Sequence, residues 1–237
     1  MQYSPRQSIS IAAAILTIII GTILLVIATF CIQNTSKHSD IWKQLYSSSI
    51  FSVIISIFLI LVTIGYIYVV IRQFPALISV YSALIGVVAF VALICVIILI
   101  PARGDFQKDN QNKILTTIKQ YSSATNSSSI TLTIDYVQQT FECCGFIKAE
   151  DWALIYSDST STADSCCKNV VPGCGENSLN NRDRIFQFGC SAPMKTFAQR
   201  RFDLLILLNS LAILFGTVTA ILGGFFQRHI RSQYQLM

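Results

Sequence analysis

The residues of this chain whose types and spacing could do chemistry are its cysteines. The chain has eight cysteines in 237 residues, and six of them fall within the polar segment 101–203, between two long apolar runs. These six are Cys143, Cys144, Cys166, Cys167, Cys174 and Cys190. An even number of clustered cysteines beside membrane-inserted segments is typical of disulfide crosslinks on the oxidising side of a membrane. The spacing alone does not choose among the possible pairings.

Zinc binding is the main alternative for these cysteines. Zinc sites favour cysteine pairs that are separated by a few residues and converge on one tetrahedral ion. The adjacent pairs Cys143/Cys144 and Cys166/Cys167 direct their side chains apart, which suits separate crosslinks better. We therefore expect disulfides and no metal site.

The remaining polar residues offer little for catalysis. The two histidines, His38 and His229, fall in segments that we predict to lie on opposite sides of a membrane, so neither can serve a shared Cys-His or Ser-His site. The sequence also lacks a glycine-rich phosphate-binding loop. We interpret the scattered carboxylates of the polar segment as solvated side chains and helix caps; they include Asp135, Glu142, Glu150 and Asp151. The sequence therefore predicts that the protein is not an enzyme.

Composition indicates a membrane protein. Charged residues make up 12% of the chain, against roughly 25% in soluble domains, and the mean hydropathy is +0.58. The net charge of +5 does not indicate nucleic-acid binding, because the 11 basic and 11 acidic residues of segment 102–203 cancel. Most of the excess comes from four arginines at predicted membrane borders: Arg6, Arg72, Arg228 and Arg231.

Four apolar runs are long enough to cross a bilayer as helices. We predict an all-α membrane protein with four transmembrane helices and a disulfide-stapled, mainly helical loop between the third and fourth. The predicted order is a cytoplasmic start (1–8), a first span (9–32), a small extracellular loop (33–49), a second span (50–71), a cytoplasmic turn (72–75), a third span (76–100), a large extracellular loop (101–203), a fourth span (204–226) and a cytoplasmic tail (227–237). A cleaved signal peptide is the alternative for residues 9–32, but its apolar region should be only about 7–15 residues long.

Charge and glycosylation acceptors predict the orientation. Four spans place both ends on one side, and the short segments there carry four arginines and no acid, as cytoplasmic segments tend to do. The N-x-S/T sequons begin at Asn34 and Asn126, and both lie on the side of the cysteine cluster. That side is predicted to be extracellular.

Apolar spacing predicts helices within the large loop. Residues 108–121 carry apolar side chains on one face, and Ile134, Val137 and Phe141 mark a second helix that leads into Cys143. The segment 122–129 is rich in Ser and Thr and should break the first helix. Residues 194–203 should form a helix that runs into the fourth span. Pro101 should favour a kink, because proline removes a backbone donor.

The spans contain packing signals and few polar groups. Channels and transporters usually carry charged residues at depth, and none lies in the four spans. The strongest polar group is Asn209, which we interpret as a helix–helix contact. Small residues recur every seven positions in the first and second spans, which predicts a closely packed left-handed seam; they are Ala14, Gly21, Ala28, Ser49, Ser56 and Thr63.

The tail ends in a possible sorting signal. Tyr234 and Met237 fit a Tyr-x-x-apolar pattern, which an adaptor protein would bind in extended form at a sheet edge. Such a signal predicts traffic between the plasma membrane and endosomes.

Several motifs together resemble the tetraspanin family over the whole chain in layout. They are Phe141-Glu142-Cys143-Cys144-Gly145, Asp151-Trp152, Ser165-Cys166-Cys167 and Gly189-Cys190 in the large loop, with Leu77-Ile78-Ser79-Val80-Tyr81 at the start of the third span. The resemblance implies disulfides Cys143–Cys190 and Cys144–Cys166, which leave Cys167 with Cys174. It also implies that cholesterol or another lipid can occupy the helix bundle. The family's cysteines at the inner membrane border are missing, since Cys31 and Cys95 lie nearer the outer side.

The resemblance implies a membrane scaffold. The expected partners are other integral membrane proteins, including other tetraspanins, which would bind through the large loop and the spans. The alternative is a four-span channel, a transporter-accessory protein or a junction subunit. Claudin-like junction proteins would carry paired cysteines in the first outer loop, and this chain has none there.

Overall fold

The computed structural model describes residues 4–36, 42–121, 129–156 and 158–235, and this part of the chain is mainly helical. It divides into two compact units. One comprises Met1–Arg103 with Arg201–Met237, and the other comprises Gly104–Arg200. The α-helices are α1 (Pro5–Ser36), α2 (Lys43–Arg72), α3 (Pro75–Tyr121), α4 (Ser129–Thr140) and α5 (Ser191–Gln235).

Four of these helices are long and apolar enough to cross a membrane: α1, α2, the part of α3 over Pro75–Pro101, and α5. Their order and the position of the disulfides between α3 and α5 confirm the predicted all-α, four-span fold. Each helix is longer than the apolar run that predicted it. The apolar run indicates only the part of a helix that lies in the hydrocarbon core of the bilayer, whereas the helix itself continues until a residue breaks it.

Helical backbone extends into segment 33–49 and past Pro101 for this reason. Segment 33–49 was expected to be a loop, but helical backbone continues to Ser36 and resumes at Lys43, in stretches that contain neither Gly nor Pro. The helix α3 includes Pro101 and continues to Tyr121, so the missing backbone donor does not end it. The kink expected at this proline stays a prediction.

The turn between α2 and α3 is the tight connection that the sequence predicted. Gln73 adopts the left-handed conformation with a φ of 57°, and its N–H donates to the carbonyl of Val70 at 3.3 Å. Pro75 then occupies the first position of α3, where its missing N–H costs no helical hydrogen bond. This cap ends α2 and the proline begins α3, so a short turn joins the two helices as neighbours.

The first bundle seam joins α1 to α2 through small side chains. All six residues of the predicted heptad pattern are buried, and an added Cβ on Gly21 would lie 3.1 Å from Ile60 of α2. The hydroxyls of Ser49 and Thr63 donate to carbonyls one turn earlier in α2, at 2.8 and 2.6 Å. Small side chains therefore let the two backbones approach closely without leaving these hydroxyls unpaired.

Polar side chains connect α5 to this pair of helices. The Asn209 side chain is fully buried, and its Nδ2 donates to Ser52 Oγ of α2 at 3.2 Å and to the carbonyl of Leu205 at 2.8 Å. The Thr17 and Thr219 hydroxyls lie 3.0 Å apart and link α1 to α5. These contacts agree with the interpretation of Asn209 as a helix-packing residue.

The second unit contains α4 and a series of short 3₁₀ turns around a small core. The predicted helix over Ile134–Phe141 corresponds to α4, and residues 108–121 form the end of α3. Trp152 is fully buried at the centre, with its ring centroid 4.9 Å from that of Tyr121 and 5.9 Å from that of Tyr156. The core includes Cys144, Cys166, Cys167 and Cys174, so this unit depends on crosslinks as well as on apolar burial.

Candidate interaction site in the disulfide-crosslinked unit

Three disulfides hold the segment between α4 and α5. They join Cys143 to Cys190, Cys144 to Cys166, and Cys167 to Cys174, with Cα–Cα distances of 5.0, 4.9 and 6.4 Å. These are the pairs that the family resemblance implied. The first closes the longest loop, because its cysteines are separated by 47 positions. By constraining the unfolded chain, a crosslink of this length stabilises the fold by roughly 4 kcal/mol.

Two motif glycines allow the crosslinked strands to approach. Gly145 has a φ of +68°, and a Cβ there would lie 2.1 Å from the carbonyl oxygen of Lys148. A Cβ on Gly189 would lie 2.1 Å from the carbonyl oxygen of Ile147. Both positions would clash with backbone if a side chain were added. The glycines beside Cys144 and Cys190 are therefore required by geometry.

The carboxylate of Asp151 fixes the segment that follows these cysteines. Its Oδ2 accepts the backbone N–H groups of Phe146 at 2.9 Å, Ile147 at 2.7 Å and Lys148 at 3.3 Å. These donors would otherwise lack partners where the chain turns, and a carboxylate satisfies several at once. The Asp-Trp motif thus combines a backbone clamp with the core residue Trp152.

Polar side chains of α4 hold the Ser-Cys-Cys motif. Gln139 Nε2 donates to the carbonyls of Ser165 at 2.6 Å and Cys167 at 3.0 Å. The Gln138 amide donates to Ser165 Oγ at 2.6 Å when its oxygen faces Gly145 N and Trp152 Nε1, from which it accepts at 3.1 and 3.2 Å. Gln138 is 2% exposed. One buried amide therefore connects the Cys-Cys-Gly turn, the core tryptophan and the Ser-Cys-Cys turn.

The network continues to a carboxylate and a tyrosine. Asp135 Oδ1 accepts the hydroxyl hydrogens of Ser165 at 2.6 Å and Tyr121 at 3.3 Å. Burial raises the pKa of Asp135 above its usual range, and the carboxylate of Asp164 raises it further, although the two hydroxyl donors partly oppose the shift. Burial and the neighbouring carboxylate of Asp135 raise the pKa of Tyr121, so its phenol stays protonated well beyond ordinary alkaline conditions.

An open cavity of about 620 Å³ lies beside this network. Two aromatic side chains, Tyr121 and Tyr156, form part of its wall, and three carboxylates contribute negative charge: Asp158, Asp164 and Glu176. Asp164 is held in place because its two oxygens accept the N–H groups of Gly173 at 2.9 Å and Gly175 at 2.8 Å. These hydrogen bonds give the carboxylate a structural role.

Large apolar side chains are exposed on the same unit. Phe188 is 82% exposed and Ile147 is 60% exposed, although both lie beside the anchored turns described above. Val170 and Val171 are about half exposed within the loop that the Cys167–Cys174 disulfide closes. These exposed apolar side chains are accessible to solvent on the crosslinked unit.

The other predicted site residues fall elsewhere in the chain. Asn34 is exposed in the last turn of α1. Asn126 and Met237 lie outside the described residues. The backbone of Tyr234 belongs to α5. The extended form was expected only in the complex with an adaptor, and it stays a prediction. No Gly or Pro interrupts residues 227–235, which explains why the helix continues. Among the described residues, no group of His, Cys, Asp and Glu is placed to hold a metal ion.

The sequence analysis missed the polar residues of α4. No function was predicted for Gln138 and Gln139, although these two adjacent amides lie shortly before the Cys-Cys-Gly motif, in a helix with an apolar face. Asp135 was interpreted as a solvated carboxylate and is instead half-buried and hydrogen-bonded. The signal was the spacing of Asp135, Gln138 and Gln139, which places all three on one face of α4.

These features define a four-span membrane protein with a loop unit crosslinked through a Cys-Cys-Gly motif. A sequence model of the Tetraspanin family matches residues 7–228, and the chain belongs to that family. The resemblance stated from the motifs is thereby confirmed.

Curated relatives are similar to parts of the chain. The CD63 antigen of Bos taurus is 29% identical over 136 residues, which cover 57% of this chain and 53% of that protein. Tetraspanin-11 of Mus musculus is 31% identical over 104 residues, or 41% of this chain and 40% of the relative. The CD151 antigen of Rattus norvegicus is 36% identical over 90 residues, or 35% of each chain. The matches span about half the length of these relatives or less.

Proposed function

We propose that this tetraspanin is a non-enzymatic membrane scaffold that associates laterally with other integral membrane proteins, including other tetraspanins. The crosslinked unit docks the extramembrane part of a partner, and the apolar helices pack beside the partner's spans. The observation that carries the proposal is the 82% exposure of Phe188 on a unit whose surrounding turns are fixed by disulfides and by the Asp151 carboxylate.

Rigidity is what makes this surface suitable for binding. The Phe188 carbonyl accepts the N–H of Cys144 at 2.8 Å, and Lys148 pairs with Phe188 in an isolated antiparallel bridge. The backbone that presents the phenyl ring is therefore ordered before any partner arrives. A preorganised aromatic side chain loses little conformational entropy on binding, which is why such residues often dominate interface energies.

The helices offer the second contact. Aromatic and aliphatic side chains on the outer faces of α2 and α3 are exposed, including Phe51 at 59%, Leu61 at 61% and Phe90 at 62%. In a bilayer these faces meet either lipid or another span. A partner's helix can pack against these apolar faces without a charged group or a cavity.

The test is affinity purification of the full chain from cells in mild detergent, with mass spectrometry of the captured membrane proteins. Phe188→Ser should reduce capture of the partners that the wild-type protein retains. Gln187→Ala is the matched control, because Gln187 is the exposed neighbouring residue and its removal leaves the phenyl ring in place. Equal capture by the wild type and Phe188→Ser would remove the proposed docking role of this surface.

We also propose that both termini are cytoplasmic and that the protein resides in the plasma membrane and endosomes. The arginine-rich, acid-free ends support this orientation. Glycans on Asn34 and Asn126 belong to the same proposal. An adaptor that binds Tyr234 and Met237 in extended form would first have to unwind the last turn of α5.

A sterol is a further proposed ligand of the bundle. Asn209 Oδ1 is buried and has no hydrogen-bond donor in the described part of the chain. A sterol hydroxyl would supply that donor. Asn209 would bind the sterol hydroxyl, and the sterol would undergo no reaction at this site.

A further inference from the structure

A second cavity lies within the helical unit, at the end that carries both termini. Its volume is about 340 Å³, and its walls come from the start of α1 and the later turns of α5. The lining residues are Arg6, Ile9, Ser10, Leu222, Phe225 and Phe226. The disulfide-crosslinked unit contributes none of these residues.

The walls of this cavity are apolar and open toward the lipid. Ile9 is 56% exposed and Phe225 is 64% exposed, whereas Ser10 and Phe226 are buried at 1% and 3% exposure. Ile9 and Phe225 therefore form the rim of the cavity, and Ser10 and Phe226 form its floor. Within a bilayer, such a depression is accessible to a lipid molecule from the side.

The rim also carries one positive charge. Arg6 is exposed in the first turn of α1, and the nearby terminal segments 1–8 and 227–237 contain no Asp or Glu. The ion pairs found among the described residues are Arg103–Asp203 and Arg182–Glu150, and neither involves this arginine. A guanidinium beside an apolar depression is complementary to a phosphate that is attached to acyl chains.

We propose that this cavity binds one anionic glycerophospholipid of the cytoplasmic leaflet. The Arg6 guanidinium binds the phosphate through charge-assisted hydrogen bonds. The first part of an acyl chain lies over Ile9, Leu222 and Phe225. The assignment rests on the proposed orientation of the termini and goes beyond the proposed scaffold role. A sterol would leave Arg6 without a counter-ion, so this site differs from the one at Asn209.

The test is native mass spectrometry of the purified full chain in detergent micelles, titrated with phosphatidylserine or with phosphatidylcholine of the same acyl composition. Phosphatidylserine should form a saturable one-to-one adduct more tightly than phosphatidylcholine. Arg6→Gln should weaken phosphatidylserine binding by about tenfold, as expected for the loss of a charge-assisted contact. Leu222→Trp, which fills the cavity, should weaken binding of both lipids.

Arg228→Gln is the matched control. It removes the same charge from the same end of the bundle, and Arg228 is exposed and does not line the cavity. Its phosphatidylserine affinity should stay close to that of the wild type. Equal losses in Arg6→Gln and Arg228→Gln would overturn the site in favour of general surface electrostatics. Equal affinity of the wild type for the two lipids would also overturn it, as would displacement of phosphatidylserine by inorganic phosphate.

The assay contains no partner protein, so its outcome is separate from that of the scaffold proposal. Arg6 is an exposed residue, and its replacement leaves the helical contacts intact. An unchanged melting temperature of Arg6→Gln in lipid-free micelles would show that weaker binding does not reflect unfolding. Phosphatidylserine should raise the melting temperature of the wild type, but should raise that of Arg6→Gln less.

Discussion

Asp151 accepts the backbone N–H of Ile147 at 2.7 Å, and the same carboxylate oxygen also binds the two neighbouring N–H groups. Asp151→Ala should release the turn that follows Cys144 and destabilise this part of the unit by about 2 kcal/mol, the scale expected for hydrogen bonds to a charged group. Hydrogen exchange of amides 146–148 should accelerate in the purified protein. Asp183→Ala, at an exposed carboxylate of the same unit, is the control and should leave these amides protected.

The disulfides should be obligatory for transport to the cell surface. Cys143→Ser removes the crosslink with the largest sequence separation, and the small core cannot hold residues 145–190 in its place. The variant should remain in the secretory pathway, as measured by its surface fraction. Non-reducing peptide mapping of the wild type should recover Cys143 with Cys190 and Cys144 with Cys166. Free thiols at Cys143 or Cys190 in surface protein would contradict the crosslinked structure.

The α1–α2 seam can be tested at its glycine. Gly21→Leu should lower the melting temperature in detergent, because even a Cβ at this position lies 3.1 Å from Ile60. Gly86→Leu on α3 provides a matched control, since an added Cβ there has no atom within 4 Å. The control should retain or improve stability, because leucine has the higher helix propensity. Equal melting temperatures for wild type and Gly21→Leu would refute the close seam.

Alkaline pH should destabilise the crosslinked unit. The pKa of Tyr121 and that of Tyr156 are raised in the folded state, chiefly by burial, from an ordinary value of 10.0. Above that value the unfolded chain releases these protons while the folded unit still binds them, so stability falls as pH rises. Tyr121→Phe should flatten this dependence in thermal melts between pH 9 and pH 11, and an unchanged slope would exclude Tyr121 as its source.

Asp135 also makes the stability of the unit fall as pH rises, but at lower pH. Because the pKa of Asp135 is raised in the folded state, the unit becomes more stable on mild acidification from neutrality.

The tail prediction concerns traffic. Tyr234→Ala should raise the surface fraction and slow internalisation of antibody-labelled protein, if an adaptor unwinds the end of α5 to reach Tyr234 and Met237. Gln233→Ala is the control, because it changes the adjacent exposed residue and leaves the pattern intact. Unchanged uptake of Tyr234→Ala would remove the endosomal part of the proposed localisation.

The sequence predicted those features that depend on regular spacing. Long apolar runs located the four membrane helices, and the recurrence of residues such as Gly21 and Ser56 every seven positions located their buried faces. It failed to locate the helix ends. Helical backbone crosses Pro101, and Gly104 three residues later, and it also reaches Tyr234, since residues 227–235 contain neither Gly nor Pro.

The polar network of the crosslinked unit was beyond the reach of local patterns. The contacts of Gln138 with Ser165 and Trp152 join residues that are far apart in sequence. The disulfide Cys144–Cys166 holds the two turns beside each other in the folded unit, and local sequence patterns do not show this proximity. The two cavities were missed for the same reason, since each is lined by segments from distant parts of the chain.

The central claim is that the crosslinked unit docks other membrane proteins through its exposed apolar surface. A photo-crosslinking amino acid in place of Phe188, in the full chain expressed in cells, tests it most directly. The same substitution at Phe186, which packs against the core of the unit, is the comparison. The account predicts that position 188 forms covalent adducts with another integral membrane protein and that position 186 crosslinks only within the chain. Adducts confined to the chain itself at both positions would contradict it.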